Sequence, residues 1–185
     1  MDPVTALVVV AFGVLAVQRV LELRLAKRNE AWARAEGAKE FGARHYPAFF
    51  VLHGGWLVGW VVEGLRRDAL PPRWWLWVAV FCVAQGLRYW AISTLGKRWN
   101  TRVLVLPGRP PILRGPYRLI PHPNYLAVAL ELAAVPLSVG AIWTAAISTV
   151  LNAVLLIGVR IPCESRALRW ATAGGCPESP AEDIL

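Results

Sequence analysis

Two short segments of the chain combine charged, aromatic and imidazole side chains in patterns suited to binding a small charged ligand. Residues 115–126 read GPYRLIPHPNYL, and residues 160–168 read RIPCESRAL. Helix-start amides beside the imidazole of His122 can bind an anion such as a carboxylate. The carboxylate of Glu164 can accept hydrogen bonds from a ribose or pair with an ammonium group. We expect the two segments to close over one ligand. Two structural alternatives stay open, a helix entry at His122 and a local ion pair between Arg160 and Glu164.

Ionisable residues inside apolar stretches are candidates for catalysis, because such groups are costly in a membrane and are mostly paired or functional. Glu131 shares a predicted helix face with Asn124, and we expect it to be the general base that takes a proton from the substrate. Arg88 is expected to stabilise an oxyanion or carboxylate, and Asn100 is the third catalytic candidate. Mutual pairing of Arg88 and Glu131 is the alternative. His53 is interpreted as a hydrogen-bonded core group.

Two further sets of charges are interpreted as structural. Arg19 and Glu22 are three residues apart on one helix face, so we expect them to pair. Glu63 lies close to Arg66 and Arg67 and is expected to form a salt bridge at the membrane interface.

The composition indicates which elements must position these residues. Of the 185 residues, 56% are apolar and only 17% are charged, against about 45–50% and about 25% in soluble domains. Disorder, a collagen-like fibre and a disulfide scaffold are therefore excluded. Since a membrane helix needs about 20 apolar residues, we predict an all-α integral membrane protein with five transmembrane helices. The spans are Pro3–Leu21, Pro47–Leu65, Trp74–Leu95 and two within Tyr125–Val159, joined as a close hairpin at residues 136–140.

The distribution of Lys and Arg predicts the orientation of these spans. Residues 24–44 and 97–118 hold six each, and three more follow the last span within residues 160–169. The loop 66–73 holds three, whereas the hairpin holds none. Because positive charge accumulates on the cytoplasmic side, the N-terminus is predicted outside and the C-terminus inside. We expect one membrane domain over residues 1–171, with its catalytic part at 85–171, and a flexible tail over 172–185.

Charge and cysteine content exclude two further classes of site. The net charge of +8 suits anionic membrane lipids, and the chain has no basic stretch with interleaved exposed aromatic residues, so we expect no nucleic-acid binding. Cys82, Cys163 and Cys176 show neither paired spacing nor a histidine at metal-ligand spacing, so no metal site is expected.

The two polar segments resemble the signature of the isoprenylcysteine carboxyl methyltransferase family, over residues 85–168. This resemblance implies a membrane enzyme that uses S-adenosylmethionine (SAM), bound by the C-terminal helical hairpin and its flanking segments. Two positions depart from the family pattern, since Pro121 replaces an arginine and Ser165 a glutamate; Arg118 or Arg160 is expected to supply the missing charge. The residues expected to bind the cofactor are Gly115, Pro116, Tyr117, Arg118, His122, Asn124, Tyr125, Arg160 and Glu164.

A narrower resemblance covers residues 19–47, 87–108 and 124–137, which are similar to bacterial members encoded beside type III polyketide synthases. It implies O-methylation of a lipophilic acceptor, an alkylpyrone or alkylresorcinol, that enters from the bilayer. The implied location is the bacterial plasma membrane, with the site facing the cytoplasm. Carboxyl methylation of isoprenylated cysteine, phospholipid N-methylation and NADPH-dependent lipid reduction are the alternatives. The sequence leaves the oligomeric state open.

Overall fold

The computed structural model describes residues 1–174 and consists almost entirely of helices. The predicted flexible tail therefore lies, apart from its first three residues, outside the described residues. Two short strands, β1 and β2, accompany six helices. The elements are α1 (Pro3–Ala35), β1 (Lys39–Phe41), α2 (Tyr46–Gly64), α3 (Trp74–Leu95), β2 (Val103–Val105), α4 (Pro123–Ser138), α5 (Ile142–Leu155) and α6 (Ile161–Thr172).

Helix α1 continues well beyond the span predicted from hydropathy. Asp2 caps it by accepting a hydrogen bond from the amide of Thr5 at 2.8 Å, and Pro3 suits the first turn. Its 33 residues extend about 50 Å at 1.5 Å per residue, whereas the hydrocarbon core is about 30 Å thick. The predicted span Pro3–Leu21 is therefore only the first part of a helix that continues into a polar segment.

Helices α5 and α6 form one continuous rod of 31 residues. A π-helical turn, Leu156–Arg160, joins them. Pro162 lies in the first turn of α6 with no break before it. Because proline lacks an amide hydrogen and clashes with the carbonyl four residues earlier, the wider π turn directly before it accommodates the ring.

Within residues 1–174, three helices are long and apolar enough to cross a membrane, Pro3–Ala35, Trp74–Arg98 and Ile142–Thr172. This confirms an α-helical membrane protein. Helix α4 has 16 residues, about 24 Å, which is shorter than the hydrocarbon core. Five spans and the orientation remain predictions.

A two-stranded antiparallel sheet departs from the predicted all-α fold. Strand β1 pairs with β2, and Lys39 is opposite Val105. Val103 and Val105 are buried against Cys163 and Ala167 of α6. The sheet therefore packs the segment after α3 against α6. Strands of three residues are too short for a period-2 pattern to be recognised in the sequence.

The apolar core lies between α1, α2 and α4, and α3 packs along α4. Trp60 and Leu132 are fully buried there, and the indole of Trp56 donates to the carbonyl of Leu132 at 3.1 Å. A close hairpin joins α4 and α5, as predicted, but the turn covers residues 139–141 instead of 136–140, because α4 continues through Pro136 to Ser138. Gly140 has a φ of +78° in this turn. The contact between Trp56 and Leu132 holds α2 and α4 side by side.

Candidate functional site

Four of the residues singled out in the two polar segments meet between α4 and α6. The Tyr125 hydroxyl donates to the carboxylate of Glu164 and accepts from Nε of Arg160 at 3.0 Å. The ring of His122 stacks on that of Tyr125, with centroids 5.2 Å apart, and its Nδ1 lies 3.8 Å from Oε2 of Glu164. We call these four residues the polar cluster.

Arg160 also ties the polar cluster to the segment before β2. Its second guanidinium nitrogen donates to the carbonyl of Thr101 at 2.8 Å, and its guanidinium lies 5.9 Å from the ring centroid of Phe49 in α2. The local Arg160–Glu164 ion pair considered from the sequence is replaced by a bridge through the Tyr125 hydroxyl. Elements distant in the sequence are therefore joined at one point.

The segment 115–118 forms a short 3-10 helix that lies on α3. Gly115 has a φ of +59°, and a Cβ there would lie 2.5 Å from Oγ1 of Thr94, so a side chain is excluded. Pro116 is buried. Burial, and then the nearby Glu164 carboxylate, raise the pKa of Tyr117, which keeps its phenol protonated.

One cavity of about 760 Å³ joins the polar cluster to the interior of the helical bundle. All four residues of the polar cluster line it. The lining includes exposed apolar side chains, Leu23 of α1 and Phe50 of α2, and exposed basic side chains, Lys97 and Arg109. The cavity is therefore lined by both apolar and cationic groups.

Two arginines and two glutamates form an ion cluster that consists of Arg19, Glu22, Arg88 and Glu131. Glu22, Arg88 and Glu131 are buried and the side chain of Arg19 is 28% exposed; we call this group the buried ion cluster. Arg88 donates twice to Glu22, with both distances 2.6 Å, and Arg19 bonds to Glu22 at 2.6 Å and to Glu131. The predicted Arg19–Glu22 pair is confirmed. Two positive and two negative charges balance, which permits their burial.

Arg88 and Glu131 take different places in this cluster. Nη1 of Arg88 is buried, has no hydrogen-bond partner within residues 1–174, and lies 3.5 Å from Oε2 of Glu131. Arg88 lines the cavity, but Glu131 has no exposed surface and accepts from Gln85 at 2.8 Å. The alternative of mutual pairing describes this geometry, and the role of Glu131 as a base stays a prediction.

The remaining predicted site residues divide between cavity and surface. Asn100 lines the cavity, and its amide bonds the carbonyl of Ala26 at 3.2 Å. Arg118 is exposed and lies outside the lining, as do the packing residues Gly115 and Pro116. Of the two arginines expected to supply the missing charge, only Arg160 lies in the cavity.

Sequence reasoning missed several polar residues that complete the site. Gln18 donates to Glu22 at 2.9 Å and to Gln85 at 2.6 Å, which links α1 to α3 beside the buried ion cluster. Asn152 of α5 lines the cavity, and its Oδ1 is buried without a partner among the described residues. The sequence did contain a signal for these residues, because each is an uncharged amide side chain inside an apolar span.

His53 lies in the cavity wall between the polar cluster and the buried ion cluster. Its Nδ1 is 2.8 Å from the carbonyl of Phe49, so the hydrogen-bonded state predicted from the sequence is confirmed. Its position in the cavity was not anticipated.

Comparison with known proteins connects this geometry to a family. A family model described as "Isoprenylcysteine carboxyl methyltransferase (ICMT) family" matches residues 77–170. The chain is also 41% identical over 158 residues to the "Uncharacterized protein YpbQ" of Bacillus subtilis (strain 168), which covers 85% of this chain and 94% of that protein. No solved structure matches the chain significantly. The described part of the chain contains no group of three or more His, Cys, Asp or Glu residues that could hold a metal ion.

Proposed function

Since the chain belongs to the isoprenylcysteine carboxyl methyltransferase family, we propose that it is a SAM-dependent O-methyltransferase acting on the hydroxyl of a lipophilic acceptor. The family indicates a membrane methyltransferase. The proposed acceptor is a phenol or enol with a long alkyl tail, of the alkylresorcinol or alkylpyrone kind.

A single observation carries this proposal, namely one cavity whose lining contains both apolar and charged side chains together with the polar cluster and three residues of the buried ion cluster. Lys97 and Arg109 suit a water-soluble, partly anionic ligand, whereas Leu23 and Phe50 suit an alkyl chain. Methyl transfer requires donor and acceptor to be aligned in one enclosed volume, and this cavity provides one.

The polar cluster fits the charges and hydrogen-bonding groups of SAM. Glu164, whose side chain is 29% exposed, would pair with an ammonium or accept from ribose hydroxyls. Asn124 also lines the cavity, and its Oδ1 is buried without a partner within residues 1–174. Arg160 would hold Tyr125 and Glu164 in position. When bound, SAM supplies a methyl group on a cationic sulfur, which is activated toward attack by an oxygen nucleophile.

Residues before position 85 belong to the same site. Arg19 of α1 and His53 of α2 line the cavity with the residues of the C-terminal part. We therefore propose that residues 1–171 act as one catalytic unit. We propose that Lys97 and Arg109 face the cytoplasm of a bacterial cell. Leu23 and Phe50 are proposed to face the bilayer.

Titration calorimetry with SAM in detergent tests the cofactor site. Tyr125→Phe and Glu164→Gln are expected to weaken SAM binding roughly tenfold or more, because each removes a charge-assisted hydrogen bond. Glu36→Gln is the matched control, since Glu36 is an exposed carboxylate 3.7 Å from Arg109 and lies outside the cavity lining. Unchanged affinity in both site variants would reject the assignment.

The chemical stability of the product identifies the acceptor group. Methyl-tritiated SAM is incubated with 5-pentadecylresorcinol and, separately, with N-acetyl-S-farnesylcysteine. An aryl methyl ether retains its label in mild alkali, whereas a methyl ester releases labelled methanol. We expect alkali-stable label on the resorcinol. Label on farnesylcysteine alone would replace the proposed O-methylation with carboxyl methylation.

A further inference from the structure

His53 occupies a position between the two halves of the site. Four residues before it, Phe49 lies near Arg160 of the polar cluster, and three residues after it, Trp56 bonds to Leu132 of α4. Helices α2 and α4 therefore run side by side in this region. The Cα atom of His53 lies about 6 Å along the helix axis from that of Phe49, and the imidazole lines the cavity.

The hydrogen bond to Phe49 determines which ring nitrogen carries the proton. A backbone carbonyl only accepts, so Nδ1, 2.8 Å away, must be the protonated nitrogen of a neutral ring. Nε2 then bears the lone pair. Within residues 1–174, Nε2 has no hydrogen-bond partner, and it is not among the buried side-chain atoms that lack one. The basic nitrogen is therefore free and accessible from the cavity.

Charged groups from three neighbouring helices surround His53. Arg19 of α1, Glu131 of α4 and Arg88 of α3 act on it electrostatically, and Glu22 pairs with both arginines. Glu131 itself is fully buried and bonded to Arg19 and Gln85. Of the two groups considered for the base, only His53 has an unoccupied lone pair facing the cavity.

We propose that His53 is the general base that takes the proton from the acceptor hydroxyl. This proposal rests on the O-methyltransferase function above. The hydroxyl proton moves to Nε2, and the electron pair of the acceptor oxygen forms the bond to the methyl carbon. The pair of the broken carbon–sulfur bond stays on sulfur, which becomes a neutral thioether. Water in the cavity then takes the proton from the imidazolium.

The proposal also distinguishes acceptor classes. A carboxylic acid is already ionised at neutral pH and needs no base, whereas a phenol with a pKa near that of tyrosine, about 10, is protonated. A base of neutral imidazole character is therefore of use only when the acceptor arrives as a hydroxyl. Arg88 lines the same cavity.

The pH dependence of two variants tests the role of His53. His53→Asn retains an amide nitrogen at the place of Nδ1, and with it the bond to Phe49, but removes Nε2. With 5-pentadecylresorcinol and SAM, kcat at pH 7 is expected to fall by about 100-fold to 10,000-fold, while SAM affinity changes less than about threefold. His45→Gln, an imidazole outside the cavity lining, is the control and should leave both quantities unchanged.

The shape of the rate profile separates a base from a packing residue. Without a base, the rate of His53→Asn should follow the phenolate fraction and rise about tenfold per pH unit up to the pKa of the phenol, whereas wild type should level off above the pKa of its imidazole. A variant that retains wild-type rate and profile overturns the proposal. A uniform loss at every pH also overturns it, because that result indicates packing.

A readout without turnover separates failure of this proposal from failure of the proposed function. Diethyl pyrocarbonate modifies unprotonated imidazole nitrogens, and mass spectrometry locates the adduct. We expect His53 to be modified at neutral pH and protected by 5-pentadecylresorcinol. If wild type binds SAM but does not methylate this probe, the acceptor assignment fails, and modification of His53 still supports a free base. If His53 is unreactive, the general-base proposal is wrong.

Discussion

Arg88 of α3 and Glu22 of α1 form a bidentate pair in the interior of the helical bundle, and each of the two hydrogen bonds measures 2.6 Å. Their side chains are only 5% and 8% exposed. Removing one partner of such a pair leaves an uncompensated buried charge, which costs far more than the intact pair contributes. The pair therefore constrains how α1 and α3 can pack.

We expect Glu22→Gln to lower the free energy of unfolding by about 3–5 kcal/mol, measured by thermal unfolding in detergent. Glu30→Gln is the matched control. Glu30 pairs with Arg34 at 2.7 Å on the same helix, but at 27% side-chain exposure against 47% for Arg34, so its loss should cost at most about 1 kcal/mol. Equal effects of the two substitutions would show that burial of the ion cluster makes no difference to the free energy of unfolding.

Glu63 of α2 stabilises the start of α5 in place of a local cap. Ala141 occupies the N-cap position and has no side-chain acceptor, so the first amides of α5 need another partner. Glu63 accepts from the amides of Trp143 and Thr144 at 3.2 and 3.0 Å and from the Thr144 hydroxyl at 2.9 Å. The salt bridge expected from the sequence is present as a longer contact of 3.8 Å to Arg67.

Loss of this cap should be measurable as stability. Glu63→Ala is expected to cost about 1–2 kcal/mol in the free energy of unfolding, and Glu63→Gln less, because the amide retains an acceptor oxygen. A double-mutant cycle with Thr144→Val isolates the hydroxyl contact. If Glu63→Gln were as damaging as Glu63→Ala, the ion pair with Arg67 rather than the cap would be the important interaction.

The sequence was sufficient to predict helix α3 and the meeting of the two polar segments. Trp74–Leu95 is confirmed residue for residue, because an apolar run of the right length has one stable state in a membrane. Tyr125 and Glu164 are 39 residues apart and were expected to meet because a tight hairpin lies between them.

Contacts between helices distant in the chain were not predictable in the same way. The pairing of Glu131 with Arg19, 112 residues away, depends on how α1 packs against α4, and no spacing rule encodes that packing. His53 illustrates the same point, since its bond to Phe49 is local and could be expected, whereas its place in the cavity depends on the position of α2. Strands β1 and β2 pair across more than sixty residues and were missed because each is short.

Glu40 should make the stability of the β1–β2 sheet depend on pH. Burial alone would raise the pKa of Glu40, but hydrogen bonds from Arg102 at 2.6 Å and Arg34 at 2.5 Å outweigh burial and hold this pKa below its ordinary value of 4.5. A lowered folded-state pKa contributes stability that is present above the unfolded-state value and lost as pH falls through the folded-state value. The stabilisation is therefore complete at neutral pH and declines below about pH 4.5.

Thermal unfolding of wild type and Glu40→Gln between pH 7 and pH 3 measures this contribution. Wild type is expected to be the more stable protein at pH 7, and the difference should shrink as the pH falls below about 4.5. Glu36→Gln, at a carboxylate exposed at the end of α1, is the control. A difference between wild type and Glu40→Gln that stays constant over this range would assign the effect to packing instead of ionisation.

Alanine substitutions at Gly115 and Gly108 separate two effects. One is the close contact of the 115–118 helix with α3, and the other is backbone strain at a positive φ. Both have positive φ angles, +59° and +69°, but a Cβ on Gly115 would lie 2.5 Å from Oγ1 of Thr94, whereas a Cβ on Gly108 would meet nothing within 4 Å. Alanine at either position pays about 1–2 kcal/mol for the left-handed conformation. Only Gly115→Ala must also push the 3-10 helix away from α3, and Tyr117 of the cavity wall moves with it.

We therefore expect Gly108→Ala to lower stability with little effect on SAM affinity, and Gly115→Ala to lower both. Adding Thr94→Ala to Gly115→Ala removes the closest atoms of the clash, so SAM affinity should recover in part while the strain of the positive φ persists. Calorimetric titration with SAM and thermal unfolding of wild type and the three variants provide the comparison. If Gly108→Ala weakened SAM binding as much as Gly115→Ala, mobility of the whole segment after β2, and not its seat on α3, would control the cofactor site. If contact with Thr94 is the cause, the double variant should recover SAM affinity without recovering full stability.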